Sequence, residues 1–255
     1  MIVELIGCAG AGKTTLRRML CDRSVSRQRV VAMSDLVIPR IARQRITNPT
    51  VLNLAQEIVA LPSFVRAWRR EQQYLALARE LVTREGFPRY ERVVAARGLE
   101  RKIGMYHLAR RRARGKVVIW DEGALLTAYN LFVPGGFPLA AAEVERFAAH
   151  VPLPDRIVYV TAPTEQLVAR ALSRPDPRRQ HVGRDEAAIA RNIERTVELF
   201  DLLADTPPVA ERTLVVANDG PASSVSQLAD SIVSWLESEP ERRVDAVADL
   251  RVVTA

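Results

Sequence analysis

The stretch Gly7-Cys8-Ala9-Gly10-Ala11-Gly12-Lys13-Thr14-Thr15 follows the apolar run Ile2-Val3-Glu4-Leu5-Ile6 and precedes Leu16, Met19 and Leu20 at helical spacing. A glycine, four residues and then Gly-Lys-Thr, set between a strand and a helix, is the pattern of a phosphate-binding loop. Each part has a chemical reason. The glycines let successive backbone N–H groups curl around one phosphate, Lys13 brings a compact positive charge to the outer phosphates, and Thr14 offers an oxygen to a magnesium ion. The helix that follows would aim its N-terminus at the same anion. A plain glycine-rich turn is the competing reading, and the complete motif with both flanks in place speaks against it.

Working outward, Arg29 to Met33 reads as a second strand, and Ser34-Asp35 follows at its C-terminal end. That is the edge where open α/β sheets bind ligands, although either residue would serve equally as a helix cap. From Val51 to Arg114 the chain reads as helices, punctuated at Leu61-Pro62-Ser63 and Gly86-Phe87-Pro88. The last of them ends in Arg110-Arg111-Arg112-Ala113-Arg114, where positive charge suits a helix C-terminus. Lys116 to Trp120 is a third, apolar strand whose tip is Asp121-Glu122-Gly123. Beside a phosphate loop, such a strand tip positions a carboxylate to hold magnesium, here Asp121 together with Thr14. The segment Leu131 to Pro138 reads as a loop near the same edge. Asp155 to Thr161 and Arg212 to Val216 complete five strands, with helices expected from Thr164, from Glu186 to Leu203 and from Val225 to Leu236. Between the first two of these helices, a segment broken by proline and glycine carries Arg174, Arg178, Arg179 and Arg184, the composition of a flap.

The chain has 255 residues, enough for one α/β domain with a helical insertion. No apolar run reaches the ~20 residues needed to cross a bilayer, and no signal peptide is apparent, so the expectation is a cytoplasmic protein. The two cysteines, Cys8 and Cys21, exclude a disulfide framework. Cys8 sits inside the loop, where N–H groups could activate its thiol, or where it is simply a small residue that fits. The net charge of +7 would admit nucleic acid, but the arginines are scattered with few aromatics between them, unlike a stacking surface. Nucleic acid and membrane are therefore disfavoured as partners.

The order of these parts resembles the thymidylate kinase and deoxynucleoside kinase group of P-loop kinases. The matching pieces are the loop Gly7 to Thr15, the arginine-bearing helix before the third strand and the strand Val117 to Glu122. They continue through Val160-Thr161-Ala162-Pro163-Thr164-Glu165 with Arg170 and Arg174, and the strand Thr213 to Ala217. The resemblance implies a three-layer α/β/α P-loop NTPase fold with a five-stranded parallel sheet of order 2-3-1-4-5. It implies one kinase domain over residues 1–238, with a substrate-side helical region at 50–114, a lid at about 170–186 and a tail at 239–255. It also implies ATP and Mg2+, with Gly7, Cys8, Ala9, Gly10, Ala11, Gly12, Lys13, Thr14 and Thr15 on the nucleotide. Lid arginines, Arg174 and Arg178, would steady the transferring phosphoryl, and Arg101 and Asn130 would face the acceptor. A homodimer formed through helices is common in such a group. The chain departs from the pattern where Asp121-Glu122-Gly123 replaces Asp-Arg-Tyr and where Ser34 to Arg40 replaces Arg-Glu-Pro-Gly. Both departures bear on the acceptor more than on ATP.

The resulting expectation is transfer of the γ-phosphoryl of ATP to a nucleoside, a nucleoside monophosphate or a similar small acceptor. Lys13 would hold phosphates, and Asp35 or Glu122 would take the proton of an acceptor hydroxyl. Three rivals share the ATP half of the site: a kinase for a sugar or biosynthetic intermediate, a motor or switch NTPase using Asp121-Glu122, and a 5′-hydroxyl polynucleotide kinase.

Overall fold

The computed structural model describes residues 1–39, 44–46, 48–174, 181–220 and 224–238. β1 (Ile2–Ile6) is apolar at every position but Glu4, and all five residues are buried. Such a run suits a central strand covered on both faces. Two further strands flank β1 in parallel, β4 (Lys116–Trp120) on one side and β5 (Arg156–Thr161) on the other. β3 (Gln28–Ala32) lies parallel outside β4, and β6 (Thr213–Ala217) lies parallel outside β5.

A sixth strand, β2 (Ser24–Val25), pairs antiparallel with β3 at the rim. Its hairpin turns on Ser26 and Arg27, with φ of 48° and 64°, the positive-φ pair that a two-residue hairpin of the right twist requires. The sheet therefore has six strands in the order β2-β3-β4-β1-β5-β6; the antiparallel rim strand β2 corrects the expected five-stranded, all-parallel sheet, while the five expected strands keep their order 2-3-1-4-5 as β3-β4-β1-β5-β6. Ser-Arg lacks the Asn-Gly or Asp-Gly signature of such turns. The hairpin is steadied instead by the Ser26 N–H donating to Glu237 Oε1 at 2.6 Å.

Helices cover both sheet faces. Val3 and Leu5 look onto α1 (Lys13–Cys21), with α8 (Thr164–Leu172) and α11 (Val225–Glu237) in the same apolar cluster. Ile6, Ile157 and Tyr159 look the other way, onto α6 (Thr127–Phe132), α7 (Ala141–His150) and α9 (Glu186–Asp205). Near the β3 side, α2 (Met33–Val37) and α5 (Arg89–Arg112) pack on Ile2, Val118 and Trp120. Asp185 caps α9, its carboxylate accepting the Ala188 N–H at 2.6 Å. The short α10 (Pro207–Ala210) leads into β6.

The helical stretch before β4 consists of α3 (Pro49–Ala67), α4 (Gln72–Val82) and α5. Contrary to the expected break, α3 runs through Pro62 and ends at Ala67, with Trp68 as its C-cap. Pro62 lies on the exposed side of α3, where water can serve the carbonyl that it leaves without a helical partner. The helix is held by its other side: Ala60, Phe64 and Ala67 are buried, and Ala60 meets Gly104 of α5 so closely that a Cβ there would lie 2.5 Å from the Ala60 carbonyl oxygen.

The arginine run at the end of α5 is structural. Arg110 donates to Tyr106 Oη at 3.0 Å and to Asp155 at 2.5 Å, Arg111 to Ser63 Oγ at 2.9 Å and Arg112 to the Leu36 carbonyl at 3.4 Å. Among the described residues, no helix is long and apolar enough to cross a membrane.

Candidate active site

Gly7, Gly10 and Gly12 have φ of 130°, 86° and 92°, a region that costs an L side chain about 1–2 kcal/mol. The loop they shape is clamped from behind. Asn218, just past β6, donates from Nδ2 to the Ala11 carbonyl at 2.9 Å, and its own carbonyl accepts from Arg170 of α8 at 2.9 Å. A Cβ on Gly12 would lie 2.4 Å from Asn218 Nδ2, so only glycine lets the clamp close. Lys13 folds back over the loop and donates to the Gly7 and Cys8 carbonyls at 2.6 and 2.7 Å. No side chain caps α1, which leaves the N–H groups of its first turn facing whatever anion occupies the loop.

The Cys8 side chain is buried, and burial pushes its thiol up to about 11, outweighing the nearby Lys13 charge. The thiol stays protonated at neutral pH, so Cys8 fills space and is not activated by the loop.

At the tip of β4, Thr14 Oγ1 donates to Asp121 Oδ2 at 3.4 Å, and Arg17 Nε donates to the same oxygen at 2.9 Å. Hydroxyl and carboxylate oxygens are hard donors. Two protein ligands with the remaining positions left to phosphates and water are the usual set for Mg2+. Among the described residues no three His, Cys, Asp or Glu side chains gather into a metal cage, so the residues fit an ion that arrives with a phosphate. Arg17 neutralises Asp121 in this geometry and must yield or share that oxygen.

A cavity of about 230 Å³ opens beside the loop, lined by Gly7, Cys8, Ala9 and Lys13 from the loop, Asp121 and Glu122 from the strand tip, and residues of α5, α6 and α9. Among the latter, Arg101 and Lys102 come from α5, Tyr129 and Asn130 from α6, Asn192 and Thr196 from α9. The Tyr129 hydroxyl donates to Asn192 Oδ1 at 3.4 Å, tying α6 to α9 across the wall.

Beneath the cavity lie two groups that the sequence reading passed over. Alternation along β1 puts Glu4 on the same face as Ile2 and Ile6, under the backbone of residues 123–126. Its Oε1 accepts the Leu126 N–H at 3.2 Å. A Cβ on Gly123 would fall 2.1 Å from the Glu4 carboxyl carbon, so the glycine after Asp121-Glu122 lets the strand tip fold over a buried carboxyl. Burial pushes Glu4 up to about 8, partly offset by Lys102 and the N–H groups of residues 124–126. Lys102 is buried as well, and desolvation brings it down to about 8 against the attraction of Glu122 and Glu4.

Of the residues singled out in the sequence, Lys13, Arg101, Asp121, Glu122 and Asn130 line one cavity, with Thr14 hydrogen-bonded to Asp121. Asp35 sits in the first turn of α2 and is not among the lining residues. Arg174 is exposed just beyond α8, away from the lining, and Arg178 lies outside the described residues, as does the tail 239–255. The proposed start of the lid at 170–172 is the end of α8, and Arg170 is spent on the loop clamp. Glu4 had a legible signal, a lone charge in a strand with both faces covered. Arg17 had one too, a cation one helical turn after Lys13.

No protein-family model matches the chain, and no curated protein does. Solved structures are similar to it, two among them as follows. Deoxyadenosine kinase from M. mycoides with bound dCTP is 12% identical with a TM-score of 0.42, over 92% of this chain and 100% of that one. TT1252 from Thermus thermophilus is 15% identical with a TM-score of 0.42, over 93% and 98%. At these identities and TM-scores the likenesses carry no argument about what this chain does.

Proposed function

We propose that residues 1–238 form a P-loop kinase that transfers the γ-phosphoryl of ATP to a nucleoside, a nucleoside monophosphate or a similar small acceptor in the cytoplasm. The observation that carries this reading is a single juxtaposition. A phosphate loop with its lysine, the Thr14–Asp121 pair and a cavity that opens onto both share one sheet edge.

In this reading the β- and γ-phosphates replace the Gly7 and Cys8 carbonyls as partners of Lys13, while loop and helix N–H groups hold their oxygens. Magnesium, when bound, neutralises charge on those oxygens, and Thr14 and Asp121 would hold it. The acceptor occupies the cavity against Arg101 and Asn130. Its oxygen forms a bond to the γ-phosphorus as the bond to the β–γ bridging oxygen breaks and ADP leaves. Glu122, which lines the cavity, or Asp35, which does not, takes the proton of a hydroxyl acceptor. Arg174 and Arg178 would steady the charge on the transferring phosphoryl.

The small size and mixed polar lining of the cavity also suit a non-nucleotide hydroxyl compound, and an acceptor panel separates the two. Purified protein with MgATP is assayed for ADP formation with nucleosides, nucleoside monophosphates and sugars. Lys13→Ala should remove transfer while circular dichroism stays unchanged. Undiminished turnover in that variant would refute the assignment, and acceptor-independent hydrolysis on the order of 1 per second would replace it with an NTPase.

A further inference from the structure

β1 carries one charged side chain although the strand is covered on both faces. Glu4 is wholly buried, and Ile2 and Ile6, two residues to either side on the same face, show what the packing there accepts. The register pairs Glu4 with Trp120, the last residue of β4, so its carboxyl lies at the rung where the chain leaves the sheet for Asp121-Glu122-Gly123. Backbone groups just beyond that rung are met by side chains. The N–H groups of Ala124, Leu125 and Leu126 turn to the Glu4 carboxyl, the last of them at 3.2 Å. The Ala124 carbonyl accepts from Thr127 Oγ1, which also shares a hydrogen bond with the Tyr74 hydroxyl. Gly123 lies against the carboxyl carbon with no room for a Cβ.

We infer that Glu4 is a positioning residue: from beneath, its carboxyl holds the bend that sets Asp121 beside Thr14 and Glu122 in the cavity lining. Packing alone does not call for it. A carboxyl sealed from water costs stability, and an apolar residue would continue the strand as Ile2 and Ile6 do. Nor is the group fully satisfied by the fold, since Glu4 Oε2 has no hydrogen-bond partner among the described residues. What the carboxyl supplies is an acceptor for three N–H groups that an apolar side chain would leave unmet, and those groups follow directly on the strand tip that carries the two carboxylates of the site. The Lys102 charge attracts both Glu4 and Glu122, which ties the buried carboxyl to the one in the lining.

The inference rests on the reading of Thr14 and Asp121 as ligands of a nucleotide-bound magnesium. The phosphate loop has a hold of its own, clamped by Asn218 and Arg170 from the β6 side of β1. Loss of the Glu4 hold should therefore spare the binding of phosphate and disturb only what the strand tip contributes. A general loosening of the fold would disturb both.

The test is binding of the fluorescent nucleotide mant-ATP to the full chain, in EDTA and in MgCl2, together with turnover on the acceptor panel and a cooperative thermal melt as the control for folding. In Glu4→Leu, binding in EDTA should be unchanged, while the MgCl2 concentration for half-maximal binding should rise by roughly 10-fold or more. Turnover should fall by on the order of 100-fold, the cost of a catalytic group displaced by about 1 Å. Glu4→Gln keeps an oxygen for the N–H groups and should restore the wild-type magnesium requirement. Gly123→Ala presses on the carboxyl from the other side and leaves β1 untouched. It should give the same selective loss, so the inference is judged even where Glu4→Leu fails to fold. Equal weakening with and without magnesium in these variants would make Glu4 a support of the fold alone and overturn the inference, as would a wild-type magnesium requirement in them. Glu4→Gln as impaired as Glu4→Leu overturns it too, because the N–H groups would then not be what the carboxyl holds. Wild-type binding indifferent to magnesium removes the metal reading and this inference with it. A wild type that binds mant-ATP with magnesium but turns over no acceptor ends the phosphotransfer proposal, and the binding measurements still decide the role of Glu4.

Discussion

Gly12→Ala isolates the geometry on which the phosphate loop depends. The substitution places a Cβ in a backbone of φ 92°, costing about 1–2 kcal/mol. That Cβ also falls 2.4 Å from Asn218 Nδ2, so the amide must withdraw from the Ala11 carbonyl it holds at 2.9 Å. Losing that buried hydrogen bond adds about 1–3 kcal/mol, for a total of ~2–5 kcal/mol. In a chain of this size each kcal/mol moves the melting temperature by roughly 2–4 °C, so a drop of about 5 °C or more is expected. Asn218→Ala removes the obstacle together with the bond. In the double variant, Gly12→Ala should then add only the dihedral cost, leaving a coupling of ~1–3 kcal/mol between the sites. Urea unfolding of the four proteins in the cycle measures it. Costs that simply add would refute the reasoning, because they would mean that the loop and Asn218 do not compete for the same space.

Arg17→Ala should free Asp121 for metal. The pair is partly exposed, so its loss is worth about 1 kcal/mol or less, and the MgCl2 concentration for half-maximal nucleotide binding should fall by up to ~5-fold; an increase would show that Arg17 itself holds phosphate. Glu4→Gln tests the buried carboxyl. A folded pKa raised from 4.5 to about 8 means that the native state keeps a proton the unfolded chain has released, so stability should fall as pH rises from about 5 to 8. Lys102, lowered to about 8 from 10.5, should return stability between pH 8 and 10.5. The first limb should vanish in Glu4→Gln, and an unchanged urea midpoint profile in that variant would contradict the burial argument. Cys8, with its thiol at about 11, should resist iodoacetamide at pH 8 in the folded protein and react once unfolded. Rapid native-state labelling assigned to Cys8 by mass spectrometry would contradict this.

Much of this site can be read along the chain because its chemistry is local. Gly7 to Thr15 needs its residues consecutively, and Asp121-Glu122 ends an apolar run that can only be a strand. What escaped the reading depends on neighbours distant in sequence. Glu4 and Lys102 are separated by 98 positions and meet only because β1 alternation and one face of α5 point at each other. Asn218 grips Ala11 from 207 residues away. The loop read at Leu131 to Pro138 lies at residues 133–140, and the helices α6 and α7 on either side of it are short elements that the reading did not name. Pro62 misled because local propensity marks it as a break, while the buried residues on the opposite side of α3 keep the helix continuous. Asp35 lies at the foreseen strand end, where α2 begins, and it is not among the residues that line the cavity.

Ser24 and Val25 make up the outermost rung of the sheet, and two residues are a poor template for a foreign strand. The turn beside them is already engaged by Glu237 of α11. Ribbon growth along this flank, the route by which exposed strand rims nucleate fibrils, is therefore blunted at its first step.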